Sequence, residues 1–267
     1  MPATNAVRLR EPLAAAMREA GKIARATARG PLKRWTKGDD NSPVSEGDIA
    51  VNEFLRARLN ELAPGAGWVS EETAAHPGEH AKPLTWIVDP IDGTRAYIAG
   101  RADWTISVAL TAEGRPQLAA LYAPVTDEMF IAVHGQGATL NRALMAAGTG
   151  SGLAGARLAG PKRYLDRLSG LNTQILAQPK VFSLALRLAR VAHGELDAAF
   201  ASGGSHAWDL AAADLLVHEA GGVMTDFAGR PLSYHQPHAA HGALIAAGPA
   251  RHGTLIGLIR DSMTEFA

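Results

Sequence analysis

Apolar residues recur along this chain in two rhythms, and the elements follow from where each one holds. From Pro12 to about Ala28, Leu13, Met17, Ala20 and Ala24 return at helical spacing with Arg18, Lys22 and Arg25 on other faces. That predicts an opening amphipathic helix, stopped by Gly30-Pro31. Trp35 to Ser45 is polar and turn-rich and cannot bury a face, so a mobile loop is expected. Ser45-Glu46-Gly47-Asp48 opens a second helix through Val51, Leu55, Leu59 and Leu62, with Ser45 and Asp48 at capping-box spacing, and Pro64-Gly65 ends it. Gly67-Trp68-Val69-Ser70 reads as a short strand handing Glu71-Glu72-Thr73 to a loop.

Period-two segments then take over. Trp104 to Leu110, Gln117 to Ala123 and Met129 to Val133, separated by Gly- and Pro-containing turns, predict an antiparallel meander, with one more strand within Gly135 to Asn141. Beyond it, strand-like Ala156 to Ala159, Thr173 to Ala177 and Leu196 to Phe200 alternate with helical Tyr164 to Leu168 and Phe182 to His193, which suggests an α/β lobe. Patterning lapses in Ala- and Gly-rich Arg142 to Ser151, so two lobes are expected, 1–141 and 142–267. Ala207 to Gly222 is a strong helix signature with Asp209 at its start, where the residue alone would be an N-cap. Ala243 to Ala247 reads as a strand and Leu255 to Met263 as a closing helix.

Composition narrows the class. At 267 residues, 47% hydrophobic and 19% charged, the chain suits one large domain or two lobes sharing an interface. Lys and Arg equal Asp and Glu at 26 each without a basic run, so neither a nucleic-acid polymer nor a membrane is expected as a partner. The absence of cysteine removes thiolate zinc sites and cysteine nucleophiles. With no secretory leader pattern and no apolar run of membrane length, a cytoplasmic location is expected.

Candidate chemistry concentrates in Trp86-Ile87-Val88-Asp89-Pro90-Ile91-Asp92-Gly93-Thr94, read as a buried strand ending in a tight turn. Asp89, Asp92 and the Ile91 carbonyl between them can converge, and three hard oxygen donors suit Mg²⁺ better than zinc. A helix starting at Thr94 would leave free N–H groups beside that metal, where a phosphate could be held. A bare Asp-x-x-Asp equally fits a β-turn with an N-capping Thr and solvated acids. Gly150-Ser151-Gly152-Leu153-Ala154-Gly155 is a literal Gly-x-Gly-x-x-Gly, but Ala146 to Thr149 before it is not strand-like, so a flexible loop is expected in place of a dinucleotide site. His235, His238 and His241 lack regular spacing and acidic or thiol partners, and read as a surface loop.

Taken together and in order, Ser42-Pro43-Val44-Ser45-x-x-Asp48, Ser70-Glu71-Glu72-Thr73, the Asp89 stretch and Trp208-Asp209-x4-Asp214-x4-Glu219-Ala220-Gly221-Gly222 strongly resemble the inositol monophosphatase superfamily, from about Ala14 to Ile259. The resemblance implies a layered αβαβα sandwich of the α/β (α+β) class, Mg²⁺-dependent hydrolysis of a small phosphate monoester, lithium sensitivity and a homodimer. Carried over by motif, Glu71, Asp89 and the Ile91 carbonyl would hold one Mg²⁺ and Asp89, Asp92 and Asp209 a second, about 4 Å away, with a third, looser ion near Glu71. Asp48 and Thr94 would orient and deprotonate the attacking water, although Asp48 also reads as a cap. Gly93 and Thr94 N–H groups would bind phosphate, Glu72 would support the ligands, and Lys37 with Asp39 or Asp40 would belong to a loop folding over the metals. The implied reaction is direct in-line attack without a phosphoenzyme.

Substrate is read from departures. Inositol-specific members carry a glutamate seven residues before the aspartate matched by Asp209; here that position is Ser202. Ser183-Leu184-Ala185-Leu186-Arg187 places a cation where bacterial 3′(2′),5′-bisphosphate nucleotidases carry Lys, and Asp92-Gly93-Thr94-Arg95 also looks like that branch. Arg187 could equally be the polar face of a helix. The expected substrate is 3′-phosphoadenosine 5′-phosphate, contacted by Asp92, Gly93, Thr94, Ser183, Arg187 and Asp209, with inositol monophosphate and histidinol phosphate as alternatives. A non-catalytic phosphate-binding relative would be marked by a lost metal carboxylate, and all four acids are present.

Overall fold

The structure, a computed structural model, describes residues 3–37, 42–73, 82–236 and 239–261. Helix α1 (Ala3–Thr27) begins well before the predicted start, because Ala6 extends the buried stripe of Leu13, Met17, Ala20 and Ala24 upstream, and Pro12 lies inside the helix. The segment expected to be a loop contains a hairpin: β1 (Arg34–Lys37) pairs antiparallel with β2 (Ser42–Ser45), Lys37 opposite Ser42. β1 buries almost nothing and is held by backbone pairing, so hydrophobic periodicity carries no trace of it. Asp39 and Asp40 lie outside the described residues.

Helix α2 (Glu46–Leu62) follows, then β3 (Gly67–Ser70), β4 (Leu84–Asp92) and the one-turn α3 (Thr94–Ile98). The predicted meander is present as β5 (Thr105–Ala112), β6 (Arg115–Ala123), β7 (Glu128–Val133), β8 (Ala138–Leu140) and a short extra strand, β9 (Ala143–Leu144). These seven strands, β3 to β9 in chain order, make one sheet, parallel only between β3 and β4. The alternating half gives β10 (Arg157–Ala159), α4 (Lys162–Gly170), β11 (Leu176–Ala177), α5 (Leu184–Ala192), β12 (Ala198–Ala201), α6 (Ala207–Glu219), β13 (Val223–Asp226), β14 (Leu244–Ala247) and α7 (Pro249–Asp261). Its five strands form a second, mixed sheet in the order β11-β10-β12-β14-β13. The four-residue β13 escapes periodicity, being fixed by its ladder with β14.

Three buried clusters define the layers. Leu13, Met17, Leu55 and Leu59 of α1 and α2 pack on Trp86, Val88, Ile106 and Val108, one face of the large sheet. On its other face Ile87, Leu121 and Phe130 meet Leu188, Leu210 and Leu216 of α5 and α6, which also touch Ala199 and Ala246 of the small sheet. Tyr164, Leu168, Leu255 and Ile259 of α4 and α7 close the far side against Leu158, Phe200 and Ile245. The order is αβαβα. Helix α6 is therefore buried nearly all round, beyond the single stripe read from sequence, and its Ala211, Ala212 and Ala213 let two sheets approach it closely. Truncating a fully buried Leu55 or Leu216 to Ala removes about 2–5 kcal/mol from such a core.

Residues 145–156 form neither strand nor helix, and Arg251 Nε donates to the Gly152 carbonyl at 3.0 Å, so the glycine motif is a connecting loop. No helix among the described residues is long and apolar enough to cross a membrane.

Candidate active site

The parallel β3/β4 pair sets the geometry. Ser70 is opposite Val88, so both strands deliver their next residues, Glu71 and Asp89, to one end of the sheet, and Glu71 N–H donates to the Val88 carbonyl at 3.2 Å. The strand does not stop at Asp89, as the sequence suggested; it continues to Asp92 through a bulge. Asp89 pairs with Ser107 and Asp92 with Thr105, leaving one more residue on β4 than on β5. That extra residue interrupts strict alternation and lets two acids three apart share a face. Gly93 then turns at φ 92, where a Cβ would lie 3.1 Å from the Ser183 nitrogen, and α3 begins.

Helix α6 packs across β4, β5 and β6 and carries the last acid in from 117 residues downstream of Asp92. Asp209 is not the N-cap. His206 holds that place, its N–H donating to Asp209 Oδ2 at 2.6 Å, so Asp209 sits in the first turn and reaches inward. Carboxylate oxygens of Asp89, Asp92 and Asp209 all lie within 4.8 Å of one another, the one such group of potential metal ligands among the described residues.

The four acids are held very differently. Asp89 is fully buried; its Oδ1 accepts the Ile91 N–H at 3.0 Å and its Oδ2 has no hydrogen-bond partner. Burial, then Glu71, Asp92 and Asp209, push its pKa well up. Asp92 accepts from Ser183 Oγ at 2.5 Å, Ala185 N–H at 2.7 Å and Leu184 N–H at 3.2 Å, the open end of α5; burial outweighs these bonds and raises it to about 6. Asp209, buried next to Asp92, is pushed up to about 8. Glu71 pairs with Lys37 Nζ at 2.9 Å, and the same ammonium lies 2.7 Å from Glu72. Burial still raises Glu72 to about 7, while the two glutamates, overcoming burial, hold Lys37 above its ordinary value.

Behind the cluster, Ser45 N–H and Oγ fix Asp48 Oδ2 at 2.8 and 2.5 Å, leaving Oδ1 to face the Thr94 hydroxyl at 3.2 Å; that hydroxyl is also 3.1 Å from the Ile91 carbonyl. Both readings of Asp48 thus coexist: it closes the capping box of α2 and touches Thr94. Its burial raises its pKa despite the Ser45 bonds. Ser183, expected at the substrate, is fully buried with its hydroxyl engaged by Asp92, Leu186 N–H at 2.9 Å and Thr105 at 2.9 Å; its surroundings are those of a support for Asp92. Arg187 is not on a solvated face. Its Nε is buried without an acceptor, burial lowers its pKa, and Asp92 is the charge acting on it. Beside Asp209, His206 stacks on Trp208 with ring centroids 4.6 Å apart, a contact that neither spacing nor motif predicts. Ser202 is exposed. Of the histidines at 235, 238 and 241, His238 lies outside the described residues, His235 packs on Gly114, and His241 lies against Tyr234; neither of these two described histidines joins a metal cluster.

The sequence profile of the Inositol monophosphatase family matches residues 7–264. The chain belongs to the inositol monophosphatase family. It is a phosphatase of that metal-dependent family, and among its relatives the "Nus factor SuhB" of Salmonella typhimurium is 30% identical over 261 residues, 94% of this chain and 95% of that protein. The "Inositol-1-monophosphatase" of Mesorhizobium japonicum is 34% identical over 195 residues, 70% of this chain and 73% of that one. A solved structure of the extragenic suppressor protein suhB from Bartonella henselae superposes with TM-score 0.82 at 27% identity, covering 92% of this chain and 96% of that one. An IMPase/NADP phosphatase solved with Mg²⁺ and phosphate shares the fold at TM-score 0.81 and 22% identity. The αβαβα layering is thus that of the family.

Proposed function

We propose that this phosphatase is a Mg²⁺-dependent phosphomonoesterase for a small ester bearing a second anionic group, best matched by a 3′,5′-bisphosphate nucleotide such as 3′-phosphoadenosine 5′-phosphate. The carboxylate of Asp89 carries the metal part of this reading. A fully buried acid with a partnerless oxygen, set among Glu71, Asp92 and Asp209 with Lys37 as the opposing charge, is stable as an anion only if further cations join it. An all-oxygen donor set fits Mg²⁺. Glu71, Asp89, the Ile91 carbonyl, Asp92 and Asp209 would hold two ions, and a third, looser one would bind near Glu71. When bound, such cations supply Lewis-acid stabilisation of phosphoryl oxygens and acidify water.

The chain's own groups do the rest. Ala96 and Tyr97 N–H groups both donate to the Gly93 carbonyl, so the Gly93 and Thr94 N–H groups ahead of them stand outside the helical bonding of α3 and are available to phosphate oxygens. Thr94, its hydroxyl hydrogen given to Asp48, presents lone pairs to the attacking water and takes its proton, which Asp48 receives. Burial gives Asp48 the higher basicity that this relay uses. Attack is in line and no phosphoenzyme forms; the leaving alkoxide would take its proton from water acidified by a bound cation. Glu72 and Lys37 position Glu71.

Arg187 carries the substrate part. A desolvated guanidinium with an unmatched Nε beside Asp92 is suited to a second phosphate. The inositol monophosphate reading is supported by the relative of that name at 34% identity, and against it stands Ser202 in place of the glutamate carboxylate of inositol-specific members. Phosphate release should be compared among the nucleotide bisphosphate, inositol monophosphate and histidinol phosphate with Mg²⁺, for the parent and Arg187→Gln. The nucleotide is expected to be preferred, and Arg187→Gln to raise its KM by about tenfold or more while leaving the single-phosphate esters unchanged. Preference for inositol monophosphate, or an equal loss on all esters, would reject the assignment.

A further inference from the structure

Asp92 is only as well placed as the helix end that grips it. Its three donors, Ser183 Oγ and the Leu184 and Ala185 N–H groups, all belong to the start of α5, so the direction of the carboxylate is set by where that helix begins. Ser183 is the N-cap, and its hydroxyl is engaged by Asp92 and the Leu186 N–H. What fixes the chain as it enters the cap is Asp103, in the loop between α3 and β5. Its Oδ2 accepts the Phe182 N–H at 3.0 Å and its carbonyl accepts the Ser183 N–H at 3.1 Å, so two successive N–H groups at the helix entry are bound by one residue. The same residue also meets the turn that follows Asp92: a Cβ on Gly93 would lie 3.3 Å from the Asp103 carbonyl oxygen.

Asp103 is held in its turn. Arg101 Nε and Nη2 donate to its two carboxylate oxygens at 2.8 and 3.2 Å. That guanidinium lies 4.9 Å from the centroid of the Phe182 ring, with Lys180 Nζ 4.4 Å from the same centroid, so the residue before the cap is gripped by ring and backbone together. Burial opposes the charge on Asp103, but Arg101 and the Phe182 N–H outweigh it and keep its pKa below the ordinary value, so this carboxylate acts as an acceptor.

We infer that Asp103 is a positioning residue for Asp92, acting through the start of α5 and so setting how tightly the acid cluster binds a divalent cation, a role that rests on Asp92 being a cation ligand. Loss of its side-chain bond frees the Phe182 peptide, and with it the angle at which Ser183, Leu184 and Ala185 present their donors to Asp92.

Calorimetric titration of Mg²⁺ into the metal-free full chain reads this role directly. Asp103→Ala should weaken binding about fivefold with the chain still folded by its melting transition, short of the roughly 10–100-fold that follows loss of a group bonded to the ligand itself. Asp103→Asn, whose amide oxygen can still accept the Phe182 N–H, should stay within about twofold of the parent. Both variants remove the same charge, so the difference between them isolates the bond. Asp92→Asn should lose about tenfold or more. Parental affinity in Asp103→Ala would make Asp103 merely structural, and equal weakening in the Ala and Asn variants would reduce it to a distant charge; either result, alongside the loss in Asp92→Asn, overturns the positioning role alone. Undiminished affinity in Asp92→Asn would instead remove Asp92 from the cation site and the role of Asp103 with it.

Discussion

Asp209 and Asp214 sit on the same helix, five positions apart, roughly 140° around its axis from each other. Asp214 is buried among partners: Tyr234 donates its hydroxyl at 3.0 Å and His218 Nε2 lies 3.2 Å away, its pKa raised first by that contact. Asp209 receives one backbone N–H and otherwise faces Asp92 and Glu71, which with burial push it to about 8. Burial alone therefore distinguishes nothing. What separates a structural acid from a site acid here is whether the fold itself supplies the compensating charge and donors, and at Asp209 and Asp89 it does not.

The comparison is broken most severely at the uncompensated side. Asp89→Asn should lower phosphate release by about 10³-fold or more, with the folded state retained or stabilised because a mutual repulsion is gone. Near-normal turnover of the folded variant would remove Asp89 from the centre. Thr94→Ala should cost about 10²-fold in rate through loss of the relay to Asp48, while divalent-cation affinity changes far less; equal losses in both would make Thr94 merely structural.

Proton linkage sharpens the contrast without mutation. In the metal-free protein Asp92, Glu72 and Asp209 titrate near 6, 7 and 8. Folded-state values above the unfolded ones mean that the native chain keeps protons which the unfolded chain has released. The associated stability is full below about 4 and is lost as pH rises through the 6 to 8 window. Melting temperature of the metal-free protein should therefore fall across that window, and added Mg²⁺ should flatten the fall. A metal-free melting temperature that climbs across the same range would contradict the shifts.

On the compensated side the effects are smaller. Asp214→Asn should cost about 1–2 kcal/mol of stability, return the His218 pKa toward 6.5 and leave turnover within a few-fold of the parent. Asp209→Asn should leave His218 where it is, as NMR titration of the imidazole would show.

Much of this arrangement is legible in the chain. Leu13, Met17, Val51, Leu55 and the β5 to β7 meander announce themselves because burial on one face forces a period, and the Asp89 stretch, Glu71 and Asp209 announce themselves as motifs. Where burial does not set the pattern, the reading fails for stated reasons. The β1/β2 hairpin includes a strand, β1, that buries almost nothing and is held by its backbone pairing with β2. The bulge between Asp89 and Asp92 is a register property of two strands, visible only when β5 is beside β4. Ser183, read from the chain as a substrate contact, caps α5, and that this helix end clamps Asp92, 91 residues earlier, depends on tertiary contact. The same holds for Arg187, whose spacing is helical and whose burial comes from packing.

Calorimetric titration of Mg²⁺ into the metal-free protein at neutral pH, repeated in buffers of different ionisation enthalpy, tests the acid cluster directly. Saturable binding with proton release, as raised carboxylates give up their protons to the incoming cation, is the predicted result, and Asp89→Asn should abolish it. Binding of undiminished affinity in Asp89→Asn, or no saturable binding by the parent, would contradict it.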